Sequence, residues 1–115
     1  MTANDSSNRT AGPDLQPTEL LSILTNEIRI EILVSLSSKR KSVGDIASEL
    51  QLDPSAVSHA LQTLRRAGLV DRDVIKKQHI YRTNDAVRLS RADRAIVLHI
   101  MTARCEVKLQ TPRGP

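Results

Sequence analysis

The apolar positions of this chain fall three and four residues apart up to Leu64, alternate between Val70 and Thr83, and return to the wider spacing from Ala92. Leu20, Leu21 and Leu24 predict a helix from Thr18 to about Leu24. Asn26 can cap a second helix, in which Ile28, Ile32 and Leu36 repeat at helical spacing. Ile30, Leu33 and Val34 widen its apolar face, which places that helix at the centre of the core. Lys39 to Ser42 form a connection, and Ser42-Val43 can add a short strand. A third helix follows from Gly44 to Leu50, with Ile46, Ala47 and Leu50 inward. Ala47 is small where two helices of a compact pair must approach. Asp53 as N-cap, Pro54 at the first helical position and Gly68 as a left-handed stop bound a fourth helix. Within it Val57, Leu61 and Leu64 fall at i, i+4 and i+7 and share one buried face.

After Gly68 the period becomes two. Val70, Arg72 and Val74 alternate with Asp71 and Asp73, and His79 to Thr83 are rich in strand-favouring residues, which predicts a hairpin. Its connection, Ile75-Lys76-Lys77-Gln78, contains neither Gly nor Asn. Ser90 followed by Asp93 has capping-box spacing and predicts the start of a long terminal helix. Its seam would be Ala92, Ala95, Ile96, His99, Ile100, Ala103 and Val107, widened by Val97, Leu98 and Met101. That face is broader than one small domain can cover, so Ile96, Ile100 and Ala103 are expected at a subunit interface. The expected architecture is mainly α with a small β-hairpin wing, a winged helix-turn-helix that is homodimeric.

At 115 residues the chain supports one domain. Residues 1–16 are small, polar and broken by Gly12 and Pro13, and read as a disordered arm; 17–108 form the folded domain and 109–115 a flexible tail. Tyr81 is the sole aromatic residue, so the core is built from Leu, Ile, Val and Ala. The same scarcity argues against single-strand or RNA modules that stack bases on aromatic platforms. With no secretory signal and no apolar run near about eighteen residues, the protein is expected to be cytoplasmic and to make no membrane contact. Cys105 has no partner within the chain for a disulfide.

Charge changes the picture through its placement. The net charge is +4. From Pro54 to Thr83 six basic residues (Arg65, Arg66, Arg72, Lys76, Lys77, Arg82) face two acidic ones, Asp71 and Asp73. The preceding segment holds Asp45, Glu49 and Asp53, and residues 39–41 read Lys-Arg-Lys. At about 100° per residue, Ser55, His59, Gln62 and Arg66 lie opposite the buried face of the fourth helix, with Ser58 on the flank. Ser, His, Gln and Arg together make a hydrogen-bonding surface suited to base edges and phosphates. Arg65 and Arg66 end that helix, while Lys76, Lys77 and His79 mark the wing, which can reach backbone or minor groove. The second helix of such a pair enters a major groove. No Ser-His-Asp, Cys-His, paired-carboxylate or phosphate-cradle pattern stands out, and the three histidines lie on three different elements, so an enzyme is not expected.

These residues resemble the ArsR-type family of bacterial winged-helix repressors over about Thr18 to Val107. The similarity rests on Asn26-Glu27-Ile28-Arg29 with Ile32-Leu33, on Val43-Gly44-Asp45-Ile46-Ala47, and most specifically on Ser55 to Leu64 followed by Ala67-Gly68-Leu69-Val70. His79-Ile80-Tyr81-Arg82 is similar to the family's second wing strand. The resemblance implies a homodimer with first and last helices at the interface, which adds Leu20 and Leu24 to its contacts. It also implies binding to an imperfect inverted repeat in promoter DNA, with Ser55, Ser58, His59 and Gln62 at DNA-touching positions. Many members sense metals, and here the chain departs. Ser42-Val43-Gly44 stands where a Cys-Val-Cys motif would be, and hydroxyl and hydrogen do not replace thiolates. Asp85 matches one ligand of a second site, but Val87, Leu98 and Met101 stand where His, His and Glu would be, and His99 is one residue out of place. Redox members use paired cysteines, and Cys105 has no mate. No metal or other cofactor is therefore expected.

Two functions from different classes fit this surface. The first is a sequence-specific repressor acting as a homodimer on double-stranded promoter DNA. The second is a winged-helix module that binds a protein partner without specific DNA binding. His59 and Gln62 favour the first, since a purely electrostatic partner needs neither.

Overall fold

The computed structural model describes residues 13–92 and 95–112. Among them the chain opens with α1 (Pro17–Leu24) and α2 (Glu27–Ser38). The Gln16 N–H donates to Glu19 Oε1 at 2.8 Å ahead of α1, and Asn26 Oδ1 accepts from the Arg29 N–H at 3.2 Å to cap α2. Strand β1 (Lys41–Ser42) leads directly into α3 (Val43–Leu50). Ser42 caps that helix, accepting from the Asp45 N–H at 3.1 Å. Helix α4 (Pro54–Arg66) follows after a three-residue turn. In that turn Gln51 adopts the left-handed conformation (φ 57°), and the Leu52 N–H returns to the Ala47 carbonyl at 2.9 Å.

Strands β2 (Val70–Ile75) and β3 (Gln78–Thr83) form the hairpin, and β1 adds to its other edge in the order β1-β3-β2. The register runs from Val70 opposite Thr83 to Ile75 opposite Gln78, which leaves Lys76 and Lys77 as a two-residue loop. Both have positive φ, 52° and 66°. Two left-handed residues give the primed turn whose twist matches the flanking strands. Asn-Gly is the usual chemistry there, and two lysines in it carry backbone strain.

The core holds Leu20, Ile32, Leu33, Ile46, Val57, Leu61, Leu64, Leu69 and Val70, all essentially without exposure, with Tyr81 at its edge. A helix-built core of Leu, Ile and Val is the one the sequence describes. It is completed by residues the sequence places otherwise.

Among the described residues no terminal helix forms. Its residues make a second antiparallel sheet of β4 (Val87–Ala92), β5 (Ala95–Met101) and β6 (Glu106–Pro112), in that order. Leu89 pairs with Leu98 and Leu98 with Leu109; Val87 pairs with Ile100 and Ile100 with Val107. Every second residue therefore faces the helices, and Leu98 and Ile100 are fully buried against them. Ile96 and Ile100 are two strand repeats apart as well as one helical turn apart, so their spacing satisfies both periods. The β-branched residues Val87, Ile96, Val97, Ile100 and Val107 tip the choice toward strands. Ser90 lies within β4 opposite Val97 and caps nothing; Asp93, its expected capping partner, lies outside the described residues. Thr102 closes the β5–β6 turn, its Oγ1 accepting from the N–H groups of Arg104 at 3.1 Å and Cys105 at 3.0 Å.

The expected seam does not form as one helical face. Leu20 and Leu24 belong to the protomer's own core, Ile100 is buried in β5, Ile96 is half-buried, and Ala103 is exposed in the β5–β6 turn. The domain is also longer than its sequence bounds. Leu109 to Pro112, expected in the tail, lie in β6. Pro13 to Gln16, expected in the arm, lie along the β5–β6 turn. There the Ala103 N–H donates to the Pro13 carbonyl at 3.1 Å, and Arg104 Nε stands 2.9 Å from Asp14 Oδ1. The remainder of the expected arm and tail, 1–12 and 113–115, lies outside the described residues.

Candidate nucleic-acid interface

Helix α4 is held at both ends by its own sequence. Asp53 Oδ1 accepts from the Ser55 N–H at 2.8 Å, and Pro54 occupies the first turn, where a missing N–H costs nothing. At the other end the Leu69 N–H reaches the Leu64 carbonyl and the Gly68 N–H the Arg65 carbonyl, both at 3.0 Å. This pair of bonds is a Schellman closure with Gly68 at its left-handed position, φ 82°. A Cβ on Gly68 would also lie 3.1 Å from that of Pro13, close enough that Pro13 would have to give by a few tenths of an ångström. Val57, Ala60, Leu61 and Leu64 are buried beneath the helix.

The opposite face carries Ser55, His59, Gln62 and Arg66, with Ser58 and Arg65 on its flank, all exposed. One helix thus presents hydroxyl, imidazole, amide and guanidinium groups together. Arg65 and Arg66 lie in the last turn, where positive charge also complements the helix dipole. Lys76, Lys77 and His79 are exposed on the wing, beside the solvent-facing Val74.

Two parts of the expected basic footprint are answered within the protein. Arg82 places Nε 3.2 Å from Asp73 Oδ2 and Nη1 3.4 Å from Asp71 Oδ2, so the wing's acids neutralise it. Lys41, read as part of a basic run, is buried and holds Glu49 at 2.7 Å. The cations of that footprint left facing outward are those at the end of α4, at the wing tip, and at Lys39 and Arg72, while the exposed Arg40 lies 4.0 Å from Asp73 Oδ2.

Arg29 is a candidate that sequence reasoning missed. A shallow hollow is lined by Asn26, Ile28 and Arg29 of the α1–α2 corner together with Ser55, Ala56 and His59 of α4. Arg29 Nη1 donates to the Ile23 carbonyl at 3.3 Å, which holds the guanidinium near the first turn of α4. The two segments lie more than twenty-five residues apart in the chain, so no local pattern reports the juxtaposition.

The positions considered for metal binding are scattered. Asp85 is exposed, Val87 and Leu98 are core residues, and His99 contacts Glu106 on the outer face of the second sheet. Among the described residues no group of three or more His, Cys, Asp or Glu is placed to hold a metal ion. No described helix is long and apolar enough to cross a membrane.

The model of the family described as bacterial regulatory protein, arsR family, matches residues 26–72. The transcriptional activator HlyU of Vibrio cholerae serotype O1 is 46% identical over 52 residues, which span 45% of this chain and 48%, about half, of that protein. Among solved structures, reduced HlyU from Vibrio cholerae is 32% identical with a TM-score of 0.56, covering 70% of this chain and 77% of that one. A homodimeric winged helix-turn-helix DNA-binding domain from Mycobacterium bovis, described as a possible ArsR-family regulator, is 27% identical with a TM-score of 0.54, covering 57% and 61%.

Proposed function

Because this chain belongs to the ArsR family of bacterial regulatory proteins, and is thus a DNA-binding transcriptional regulator of winged helix-turn-helix fold, we propose that it binds an inverted-repeat operator as a homodimer and represses by occupying the promoter. The observation that carries this reading is the outer face of α4. His59 and Gln62 stand there with Ser55 on a helix capped at both ends, where they can reach base edges while Arg65, Arg66 and the wing lysines meet phosphates. A helix fixed this firmly reads sequence with little loss of side-chain and backbone freedom on binding.

Dimerisation is supported by the homodimeric Mycobacterium bovis domain rather than by a terminal helix. Its symmetry would place two α4 helices about one turn of DNA apart, roughly 34 Å, on two half-sites. Repression is the simplest action for a domain this compact, because occlusion needs no further surface. Activation is the second reading, favoured by the name of the similar Vibrio cholerae protein.

Footprinting on the region upstream of the protein's own gene tests the reading. A protected, two-fold symmetric site that survives competition by unrelated duplex supports it. Equal affinity for all duplexes would overturn it in favour of a protein-binding module, and a reporter fused to the same promoter gives the sign of regulation.

A further inference from the structure

A cavity of about 520 Å³ lies between α2, α3 and the second sheet, away from the α4 face. Its apolar lining is Ile30 and Val34 of α2, Leu50 of α3 and Ile96 of β5. Glu27 and Glu31 of α2, one helical turn apart, and Glu49 of α3 supply carboxylates, against the single guanidinium of Arg91. Lys41 answers Glu49, whereas Glu27 and Glu31 make no ion pair among the described residues. A chain of net charge +4 thus holds a groove that is negative at its rim and apolar within. Its volume falls in the range of small-molecule sites, about 300–1,000 Å³.

We propose that this groove is an effector site for a small amphiphilic organic cation, whose apolar body packs on Ile30, Val34, Leu50 and Ile96 while its charge faces Glu27 and Glu31. An apolar body is desolvated by the lining, and a cation is the charge that the two unanswered carboxylates favour. A neutral apolar ligand would leave those carboxylates partly desolvated without a partner, and an anion would be repelled. The groove's walls belong to α2 and to α3, the helix that leads through the Gln51–Asp53 turn into α4. A ligand seated between them biases the α2–α3 packing and hence the placement of α4. It acts on DNA affinity to the extent that it binds the two arrangements differently. The proposal adds regulation to the DNA-binding reading and rests on it only for this last step.

Tetraphenylphosphonium and tetraphenylborate, nearly the same shape with opposite charge, are the probes. Calorimetry on the full chain without DNA should show one phosphonium per protomer and at least tenfold weaker borate binding, although the protein's overall charge favours the anion. A Glu27→Gln/Glu31→Gln variant should fold normally, being altered at exposed positions, and bind the phosphonium at least about fivefold more weakly. Absent phosphonium binding, equal binding of both ions, or unchanged affinity in the variant overturns the site. A shift of the monomer–dimer equilibrium in that variant, without phosphonium binding, overturns it in favour of a second copy as the occupant. With an operator in hand, phosphonium should weaken DNA binding by at least fivefold in the native protein and not in the variant; no change overturns the effector role. Failure of operator binding leaves the calorimetry readable, so the two readings fail separately.

Discussion

Lys41 Nζ stands 2.7 Å from Glu49 Oε1, and this contact ties β1 to the far end of α3. The same ammonium donates to the Ser35 carbonyl and to Ser35 Oγ, both at 2.8 Å, and Ser35 Oγ donates to Glu49 at 3.0 Å. One buried charge therefore joins α2, β1 and α3, the elements that set the angle at which α4 is presented. A buried lysine persists only where such partners replace its water.

The hydrogen bond from Lys41 holds the Glu49 carboxyl below the usual carboxylate range, outweighing the opposing effect of burial. A carboxyl with a lowered folded-state pKa adds stability above its unfolded value, near 4.5, and loses it as pH falls through the folded value. Glu49→Gln should therefore flatten the fall in stability below about pH 4.5 and lower stability at neutral pH by only about 1 kcal/mol, because solvent screens a carboxylate whose side chain is 47% exposed. Urea unfolding across pH 3–7 checks both; an unchanged acid limb would remove the bridge from the account.

On DNA, the helix and the wing should separate. Gln62→Ala should cost about 1–3 kcal/mol on the operator and leave random duplex nearly unaffected, with His59→Ala acting in the same direction. Lys76→Ala/Lys77→Ala should weaken both duplexes alike and make the log–log salt slope shallower by about two. Fluorescence anisotropy against salt measures each. The opposite pattern, with specificity lost only in the wing variant, would place a different element in the groove.

Gly68→Ala meets two obstacles, a left-handed backbone and Pro13 at 3.1 Å. It should destabilise the fold by about 1–3 kcal/mol. Thermal unfolding of Gly68→Ala in the native and the Pro13→Gly backgrounds divides the cost in part, since losing the Pro13 ring removes the 3.1 Å contact and leaves its Cα at 3.3 Å. A neutral Gly68→Ala would mean that the closure of α4 is looser than these hydrogen bonds show.

Neighbouring residues in β5 should respond oppositely. Ile100 is fully buried and Met101 is 54% exposed. Ile100→Asp should prevent cooperative folding, because an unpaired carboxylate would enter the core. Met101→Lys should change stability by less than about 0.5 kcal/mol. Circular dichroism with thermal melts distinguishes them, and equal tolerance of both would argue for a helical seam in place of the sheet.

If the protein dimerises through α1, the contact comes from Leu21, which is 52% exposed, rather than from the buried Leu20 and Leu24. Leu21→Glu should then weaken association at least tenfold in analytical ultracentrifugation while leaving the melting temperature of the dilute protein nearly unchanged. Undiminished association would move the interface elsewhere.

The sequence by itself determined the helix-turn-helix, because each of its signals is local. Asp53, Pro54 and Gly68 mark the ends of α4 through their own backbone chemistry, and Val57, Leu61 and Leu64 orient it without reference to any other segment. The exposed face of Ser55, His59, Gln62 and the arginines follows from that orientation alone. The wing was legible from its alternation, although the strained Lys76-Lys77 loop carries no turn signal. What only the tertiary structure decided is wherever a residue's state depends on a distant partner. Ile96 and Ile100 fit a helix and a strand equally, and the pairing of Leu98 with Leu89 and Leu109 settled the choice. Lys41 reads as surface charge until Glu49 and Ser35 are folded against it, and Arg82 until Asp71 and Asp73 lie across the hairpin. Arg29 comes beside His59 only through the crossing of α2 and α4. Local periodicity cannot report these states, because burial and charge pairing are set by contacts between segments that the chain order keeps apart.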